Sequence, residues 1–251
     1  MQINKVNETD ATILRHIRAW EKKGALRLIY KKDIYKKIEN YMLSGNTLEL
    51  GAGAGFFKKN QRGVISSDIL FLEHLDIICN SHFLAFKDAS LTNIIGVDVL
   101  HHFEKPYLFF NECKRVLKPK GRLILIEPWI SALSKFVYRY LHHEDCRFVK
   151  NPLDYPFGNS KNPWQGNAMI PYQIFNVCYI NKFKSRWPNF KILTVKPFSF
   201  LAYPLTGGFK PYGIKSEKII SLLLKVEHVF KPIFLNIAAF RSLIVIENGQ
   251  D

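Results

Sequence analysis

Thr47-Leu48-Glu49-Leu50-Gly51-Ala52-Gly53-Ala54-Gly55-Phe56-Phe57 is the stretch that decides the fold of this chain. Residues 47–50 predict a short buried strand, and glycines follow at every second position. Glycine tolerates a positive φ and lets a ligand approach the backbone closely. A strand that runs into a glycine-rich turn and then a helix is typical of the nucleotide-binding crevice of a doubly wound α/β sheet.

The spacing of the glycines narrows the choice of nucleotide. A dinucleotide fingerprint needs G-x-G-x-x-G, but the position three after Gly53 is Phe56. Glu49 lies inside the strand, and a buried carboxylate needs a donor, which a ligand with an ammonium group and ribose hydroxyls would supply. The pattern E-x-G-x-G-x-G closely resembles motif I of the class I S-adenosylmethionine-dependent methyltransferases. The resemblance implies cofactor contacts from Glu49, Gly51, Ala52, Gly53 and Gly55.

An acid at the end of the next predicted strand supports a ribose site. Residues 63–67 predict the second strand, and Asp68 ends it 17 residues after Gly51. An acid about 20 residues beyond the glycines binds ribose hydroxyls in Rossmann-like sites. The alternative for Asp68 is a loop acid or a helix cap.

Further segments extend the resemblance along roughly residues 47–127. Leu84-Ala85-Phe86, residues 94–103 and residues 116–123 are similar, in order and spacing, to successive signatures of the type 11 methyltransferase family. That resemblance implies a Rossmann-like doubly wound α/β fold: a seven-stranded, mostly parallel sheet with an antiparallel last strand. N-terminal helices and an insertion between the last two strands would complete it.

The loop after the third predicted strand departs from the family pattern. The family usually places there an Asp that accepts from the adenine amino group, and this chain has Asn80. An Asn side-chain oxygen can still accept a hydrogen bond. By resemblance, Asn80, Ser81 and Ile69 complete the adenosine contacts. The family's Leu-Pro-Phe is Leu84-Ala85-Phe86 here.

The end of the fourth predicted strand carries the candidates for catalysis. By resemblance, Asp98 and Leu100 line the methionine end of the cofactor. His101 and His102 are candidate general bases, because histidine titrates near neutrality and can take a hydroxyl proton. The alternative for each is a structural histidine at a strand end.

The acceptor pocket is expected at the same edge of the sheet. Glu127 and Trp129 follow the fifth predicted strand, and ligands of open α/β sheets sit at the carboxyl ends of strands. His142-His143-Glu144 is an acceptor-site loop, a buried polar cluster or a metal site; it lacks H-E-x-x-H spacing, which argues against metal. Trp20 and the Glu127-Pro128-Trp129 run resemble a bacterial subgroup associated with surface-polysaccharide gene clusters.

Composition limits the class of protein. The 251 residues are 47% hydrophobic, and the net charge of +15 favours anionic partners or reflects a solvated basic surface. Four widely spaced cysteines without C-x-x-C argue against zinc and a disulfide framework. The polar N-terminus predicts no signal peptide, and no apolar run reaches the roughly 18–20 residues that a spanning helix needs. We expect a cytoplasmic protein, with the inner face of the membrane as a place of peripheral contact.

The predicted organisation is a single methyltransferase domain over 1–251. Residues 1–45 form a helical cap, 46–130 the cofactor-binding core and 131–251 the acceptor side with the last strands. Helices are predicted over 25–42, 170–183 and 217–230, the last interrupted by Pro232. Strands at 191–196 and 242–247 are expected to form an antiparallel hairpin around an insertion of about 45 residues.

The predicted activity is S-adenosylmethionine-dependent O-methylation of a small-molecule, saccharide or lipid-linked acceptor. An RNA, DNA or protein methyltransferase fits the charge, but the N-P-P-aromatic turn of amino-methylating enzymes and a Pro-Cys pair are missing, so nucleic acid is disfavoured. A dehydrogenase is disfavoured by the glycine spacing. A catalytically inactive cofactor-binding partner protein remains an alternative because of Asn80. The sequence does not predict an oligomeric state.

Overall fold

The computed structural model describes residues 3–140, 145–155, 164–177 and 179–249. The strands are β1 Thr47–Leu50, β2 Val64–Asp68, β3 Ile77–Ile78, β4 Leu91–Val97, β5 Leu117–Pro128, β6 Phe190–Phe198 and β7 Arg241–Asn248. They form one seven-stranded sheet in the order β3-β2-β1-β4-β5-β7-β6.

The direction of the strands confirms the predicted fold class. Neighbouring strands from β3 through β5 pair in parallel, and β7 runs antiparallel to both β5 and β6. The carboxyl ends of β1, β2, β4 and β5 therefore meet at one edge of the sheet. Arg241, the first residue of β7, lies opposite Pro128 and so faces the same edge.

The sheet has a hydrophobic core on each face. Ile94 packs into one core and its neighbour Ile95 into the other, because successive side chains of a strand point to opposite faces. Strands covered on both faces read as continuous apolar runs, as residues 123–126 of β5 do.

The helices divide between these two cores. They are α1 Ile3–Lys22, α2 Gly24–Ile29, α3 Lys36–Glu39, α4 Phe56–Asn60, α5 Pro106–Val116, α6 Ala132–Tyr140, α7 Met169–Phe175, α8 Ile180–Arg186, α9 Ala202–Thr206 and α10 Glu217–Ala238. Helices α5, α7 and α8 cover one face through Phe110, Ile174 and Phe183. Helices α2 and α10 cover the other through Ile29 and Ile220. No helix in the described residues is long and apolar enough to cross a membrane.

Four predicted elements differ in the structure. The 25–42 helix contains a π-helical stretch, Tyr30–Tyr35, between α2 and α3. The 170–183 helix is two helices, because Asn176 is extended and ends α7. β5 already begins at Leu117, where Leu91 pairs with it ahead of a register shift. The interruption at Pro232 was wrong, since α10 continues through it to Ala238. An exposed helix tolerates this proline when water satisfies the carbonyl that loses its N–H partner.

The N-terminal helices pack on the glycine turn and on the insertion. Trp20 of α1 stacks on Phe56 of α4, with ring centroids 4.1 Å apart. His16 stacks on Phe209 of the insertion at 4.4 Å. Phe209 also contacts Tyr30. An aromatic cluster therefore joins three segments that are far apart in the sequence.

Lys23 fastens the same region with a buried ammonium group. Its Nζ donates to the carbonyl oxygens of Thr206 (2.9 Å), Gly208 (2.9 Å) and Tyr212 (2.8 Å). The side chain is 2% exposed, and burial lowers the pKa of the amine, with Lys215 acting in the same direction. Three acceptors satisfy the three donors of an ammonium group, which offsets the cost of its burial.

Removing the three Lys23 hydrogen bonds should destabilise the contact between the N-terminal helices and the insertion. Lys23→Met leaves three buried carbonyls without their donor, and we expect the free energy of unfolding to fall by about 3 kcal/mol. For a domain of this size the melting temperature then falls by roughly 6–12 °C, measured by circular dichroism. Lys22→Met is the matched control, because Lys22 is exposed. Equal melting temperatures for the two variants would contradict this role of the Lys23 hydrogen bonds.

Candidate active site

The turn between β1 and α4 requires glycine at three positions. Gly51, Gly53 and Gly55 have φ of 64°, 49° and 68°, a region that disfavours residues with a Cβ. A Cβ on Gly51 would lie 2.2 Å from a methyl carbon of Val99. Ala52 is buried and donates its N–H to the Ser67 carbonyl at 2.9 Å, which fixes the turn to β2.

Glu49 places an incompletely bonded carboxylate beneath this turn. The side chain is 5% exposed, and Oε2 has no hydrogen-bond partner within the described part of the chain. Burial, together with the nearby Asp68 carboxylate, raises the pKa of Glu49 to about 8, although Lys58 opposes the shift. A buried acid of this kind is stabilised by a ligand that brings a hydrogen-bond donor or a positive charge.

Asp68 lies at the end of β2, beside the turn. Its Oδ2 accepts from the Gly53 N–H at 3.0 Å, and its Oδ1 accepts from the Leu70 N–H at 3.1 Å. Burial raises the pKa of this carboxyl group, although the backbone donors oppose the shift. His74 Nε2 lies 2.7 Å from the Gly53 carbonyl oxygen on the other side of the turn. Asp68 thus holds the glycine turn in place and keeps lone pairs for hydroxyl donors.

Beyond Asp68 the edge of the sheet continues to Asn80. Its Oδ1 accepts from the His82 N–H at 2.9 Å, so the amide oxygen already serves its own turn. Asn80 is exposed and Ser81 is half-buried. Ile69, which follows Asp68, and Phe83, two residues after Ser81, are large apolar side chains left exposed. This combination suits a flat ring with polar edges.

The donors and acceptors of this edge fit S-adenosylmethionine. Glu49, Asp68 and Asn80 lie at or just beyond the carboxyl ends of β1, β2 and β3, and the glycine turn opens between the first two. Glu49 Oε2 has no hydrogen-bond partner among the described residues, so a ligand that donates a hydrogen bond would stabilise it. Ile13 of α1 lies 3.8 Å from the position of a Cβ on Gly53, so the N-terminal cap passes over the turn.

The end of β4 carries an ion pair between a half-buried carboxylate and a buried guanidinium. Asp98 has a φ of 57°, unusual for a residue other than glycine, and its carboxylate accepts from Arg241 Nη2. Arg241 also donates to the Tyr203 hydroxyl at 2.9 Å and stacks on that ring. Arg241 is 4% exposed, and its Nη1 has no hydrogen-bond partner among the described residues.

Glu127 organises the turn that follows β4. Its Oε1 accepts from the N–H groups of Val99 (2.9 Å) and Leu100 (2.7 Å), and its Oε2 lies 2.7 Å from His101 Nδ1. Glu127 and Leu100 are fully buried, and His101 is 2% exposed. His102 Nδ1 lies 3.1 Å from the Gln165 carbonyl oxygen. The contacts of Glu127 favour a positioning role, and its predicted contact with the acceptor stays a prediction.

A backbone segment covers both histidines. The His101 carbonyl accepts from the Asn167 N–H at 2.9 Å, and a Cβ on Gly166 would lie 2.7 Å from His102 Nδ1. Only glycine fits this contact without displacing the rings. The segment around Gly166 therefore closes this end of the site.

The remaining predicted acceptor residues fall in two groups. Trp129 is half-buried at the end of β5 and packs edge-on against Tyr172 of α7, with centroids 4.9 Å apart. His142, His143 and Glu144 lie outside the described residues. Within the described ranges, no group of three or more His, Cys, Asp or Glu side chains could hold a metal ion.

Comparison with known proteins indicates the class of enzyme. Residues 57–125 match the type 11 methyltransferase model, described as "Methyltransferase domain". The matched region indicates an S-adenosylmethionine-dependent methyltransferase, and the fold is consistent with that. S-adenosylmethionine is its cofactor, and the methyltransferase family implies a methyl acceptor. The match begins just after the glycine turn, so Glu49 and the glycines at 51, 53 and 55 lie outside it.

Solved structures share the fold of this methyltransferase. A SAM dependent methyltransferase from Archaeoglobus fulgidus is 14% identical, with a TM-score of 0.54, covering 92% of this chain and 98% of that one. The [4+2]-cyclase SpnF is 11% identical, with a TM-score of 0.50, covering 87% and 81%. No curated protein matches the chain.

Sequence reasoning missed the Arg241 and Tyr203 partners of Asp98. Arg241 is 143 positions from Asp98 in the sequence, and the pair forms because β7 inserts antiparallel beside β5. The available signal was a charged residue at the start of an apolar strand that was expected to run antiparallel, so that its first residue would lie at the active edge.

The pKa of Glu49 predicts a pH dependence of stability. The folded carboxyl group binds its proton more tightly than the unfolded one, so between about pH 4.5 and 8 the free energy of unfolding falls as pH rises. We expect the melting temperature of the ligand-free protein to fall more steeply over this range than that of Glu49→Gln. Exposed Glu73→Gln is the matched control and should follow the wild type. Parallel curves for all three proteins would refute a raised pKa.

Asp68 should be required for cofactor binding. At about 100 times its dissociation constant, S-adenosylmethionine or S-adenosylhomocysteine adds roughly 2.7 kcal/mol of stability. The melting temperature of the wild type should rise by about 5–10 °C with both ligands and stay unchanged with NAD. Asp68→Asn should lose this shift, whereas the exposed control Asp88→Asn should keep it. An equal shift in both variants would remove Asp68 from the site.

Proposed function

We propose that this methyltransferase transfers the methyl group to a hydroxyl oxygen of a small-molecule, saccharide or lipid-linked acceptor. The observation that carries the proposal is the contact between His101 Nδ1 and Glu127 Oε2, at 2.7 Å, at the carboxyl ends of β4 and β5. A hydroxyl acceptor benefits from a general base, whereas a carboxylate acceptor needs none.

The cofactor half of the site divides into three parts. Glu49 would meet the ammonium group, Asp68 the ribose hydroxyls and Asn80 with Ile69 the adenine. The backbone of the glycine turn would pack against the ligand at Gly53, where the nearest atom to a Cβ would be a methyl carbon of Ile13 at 3.8 Å. Bound S-adenosylmethionine supplies an electrophilic methyl group on a sulfonium. No nucleophilic residue of the protein is required for its transfer.

His101 is the proposed base, and Glu127 its positioning residue. Glu127 accepts the Nδ1–H, so the lone pair of the neutral imidazole lies on Nε2. When Nε2 takes the hydroxyl proton, the imidazolium that forms is stabilised by the Glu127 carboxylate. His102, whose ring centroid lies 4.1 Å from that of His101, is the second candidate.

The closed geometry favours methyl transfer over loss of the methyl group to water. Transfer needs the acceptor oxygen about 3–3.5 Å from the methyl carbon and in line with the breaking bond. Ile13 covers the glycine turn, and the segment around Gly166 covers the histidines. These covers would limit the access of water to the reacting groups.

Two alternatives to this proposal are a different class of methyl acceptor and a protein that binds the cofactor without transferring the methyl group. Methylation of nucleic acid or protein fits the net charge of +15. An inactive partner protein would bind the cofactor and transfer nothing. Release of S-adenosylhomocysteine, measured against separate panels of hydroxyl compounds, RNA, DNA and peptides, separates these functions, because the inactive protein gives none with any panel.

His101→Asn tests the base. Asparagine keeps a donor toward Glu127 but provides no base, so turnover should fall by about 10²–10⁴-fold while cofactor affinity stays unchanged. The acidic limb of the pH–rate profile should disappear as well. His102→Asn is the matched variant and should retain most of the rate. Full activity of His101→Asn on a hydroxyl acceptor at every pH would exclude His101 as the base.

A further inference from the structure

Helix α10 carries an apolar surface that the fold leaves uncovered. Leu222, Val229 and Ile233 are 61%, 70% and 63% exposed, although large apolar side chains are usually buried. We call the outward-facing residues of this surface the α10 stripe: Ile219, Leu222, Val229, Phe230, Ile233, Phe234 and Ile237. They recur at intervals of three or four positions along much of the helix, so most of them share one side of it.

The core does not need the α10 stripe, because a different side of the helix anchors it. Ile220 is fully buried in the core that α2 also lines. Glu227 is 8% exposed, and its carboxylate accepts from the Phe200 N–H at 2.8 Å and the Ala202 N–H at 2.9 Å. Helix α10 is therefore apolar on the inside and on a second, outward side.

Helix α6 extends the same surface. It packs against α10 and exposes Leu133, Phe136 and Tyr140. Helix α6 begins three residues after Trp129 and therefore starts at the active edge of the sheet. The apolar surface thus reaches from the long helix to the rim of the active site.

The charges on these helices select the partner. Within residues 132–140 and 217–238, the cations are Lys135, Arg139, Lys218, Lys225 and Lys231. Glu217 is the exposed acid of the same ranges, since Glu227 is buried. A second copy docked through an isologous contact would bring these cations together. An anionic lipid surface would instead pair each cation with a headgroup phosphate and take up the apolar side chains.

We propose that α10 and α6 dock this methyltransferase on an anionic phospholipid membrane. A helix with an apolar side and flanking lysines lies in the plane of the interface, with its apolar residues between the acyl chains. Docking would bring the rim next to Trp129 close to the lipid surface. The inference rests on exposure and charge and does not depend on the identity of the acceptor.

Vesicle co-sedimentation tests the proposal. The wild-type protein should sediment with vesicles of mixed phosphatidylglycerol and phosphatidylcholine, and weakly with phosphatidylcholine alone. Binding should weaken as the salt concentration rises, because salt screens the charges. Failure of the wild type to bind the anionic vesicles at low salt would overturn the proposal.

Variants separate the two contributions. Val229→Glu/Ile233→Glu should weaken vesicle binding at least about tenfold, because two apolar anchors become charged. Lys218→Gln and Lys225→Gln should each weaken it about fivefold. Val177→Glu is the matched control: Val177 is 88% exposed, lies between α7 and α8, and should leave binding unchanged. Melting temperatures of all variants should match the wild type, since the substituted side chains are exposed.

The rival occupant is distinguished by sedimentation velocity. A docked second copy predicts a dimer in the absence of vesicles that Val229→Glu/Ile233→Glu dissociates. That result, together with equal vesicle binding by this variant and the wild type, would overturn the membrane proposal. A wild-type monomer that binds anionic vesicles through the α10 stripe would support it.

Discussion

The active edge depends on one buried carboxylate, that of Glu127. It accepts three donors from the turn after β4, namely the N–H groups of Val99 and Leu100 and the His101 ring. These contacts tie the end of β5 to the residues that follow β4, so the two strands and the imidazole form one rigid unit. A fully buried carboxylate is costly unless it is bonded in this way, and the requirement fixes where His101 can lie.

In the proposed cofactor half of the site, by contrast, a buried carboxylate is incompletely hydrogen-bonded. Glu49 is buried with one oxygen unpaired, and burial raises its pKa to about 8. Asp68 is half-buried, and its oxygens accept from the N–H groups of Gly53 and Leu70. Glu49 is thus unfavourably buried where we propose that the cofactor binds, and a donor from the cofactor would relieve that burial. Strained and desolvated groups of this kind concentrate at functional sites because the rest of the fold tolerates their cost.

Above the sheet, the N-terminal cap and the insertion act as one body. The Lys23 ammonium holds the carbonyls of residues 206, 208 and 212, and Phe209 packs between His16 and Tyr30. The same insertion continues into α10, whose second apolar side faces away from the protein. The cover of the active site and the proposed membrane contact are thus parts of one continuous segment of structure.

The sequence by itself predicted the α/β fold class from local patterns: an apolar strand, glycines at fixed spacing and an acid at the next strand end. The seven strands in outline and the cofactor followed from the resemblance of these patterns to a methyltransferase family. The sequence predicted that α10 is interrupted at Pro232, because proline removes a backbone N–H donor from a helix. The helix continues because it lies at the surface, where water can satisfy the carbonyl that loses this donor. Only the tertiary structure decided that Glu127 serves His101, that Arg241 pairs with Asp98 and that Lys23 clips the insertion. These contacts join residues 26, 143 and more than 180 positions apart, so chain topology sets them and no local pattern encodes them.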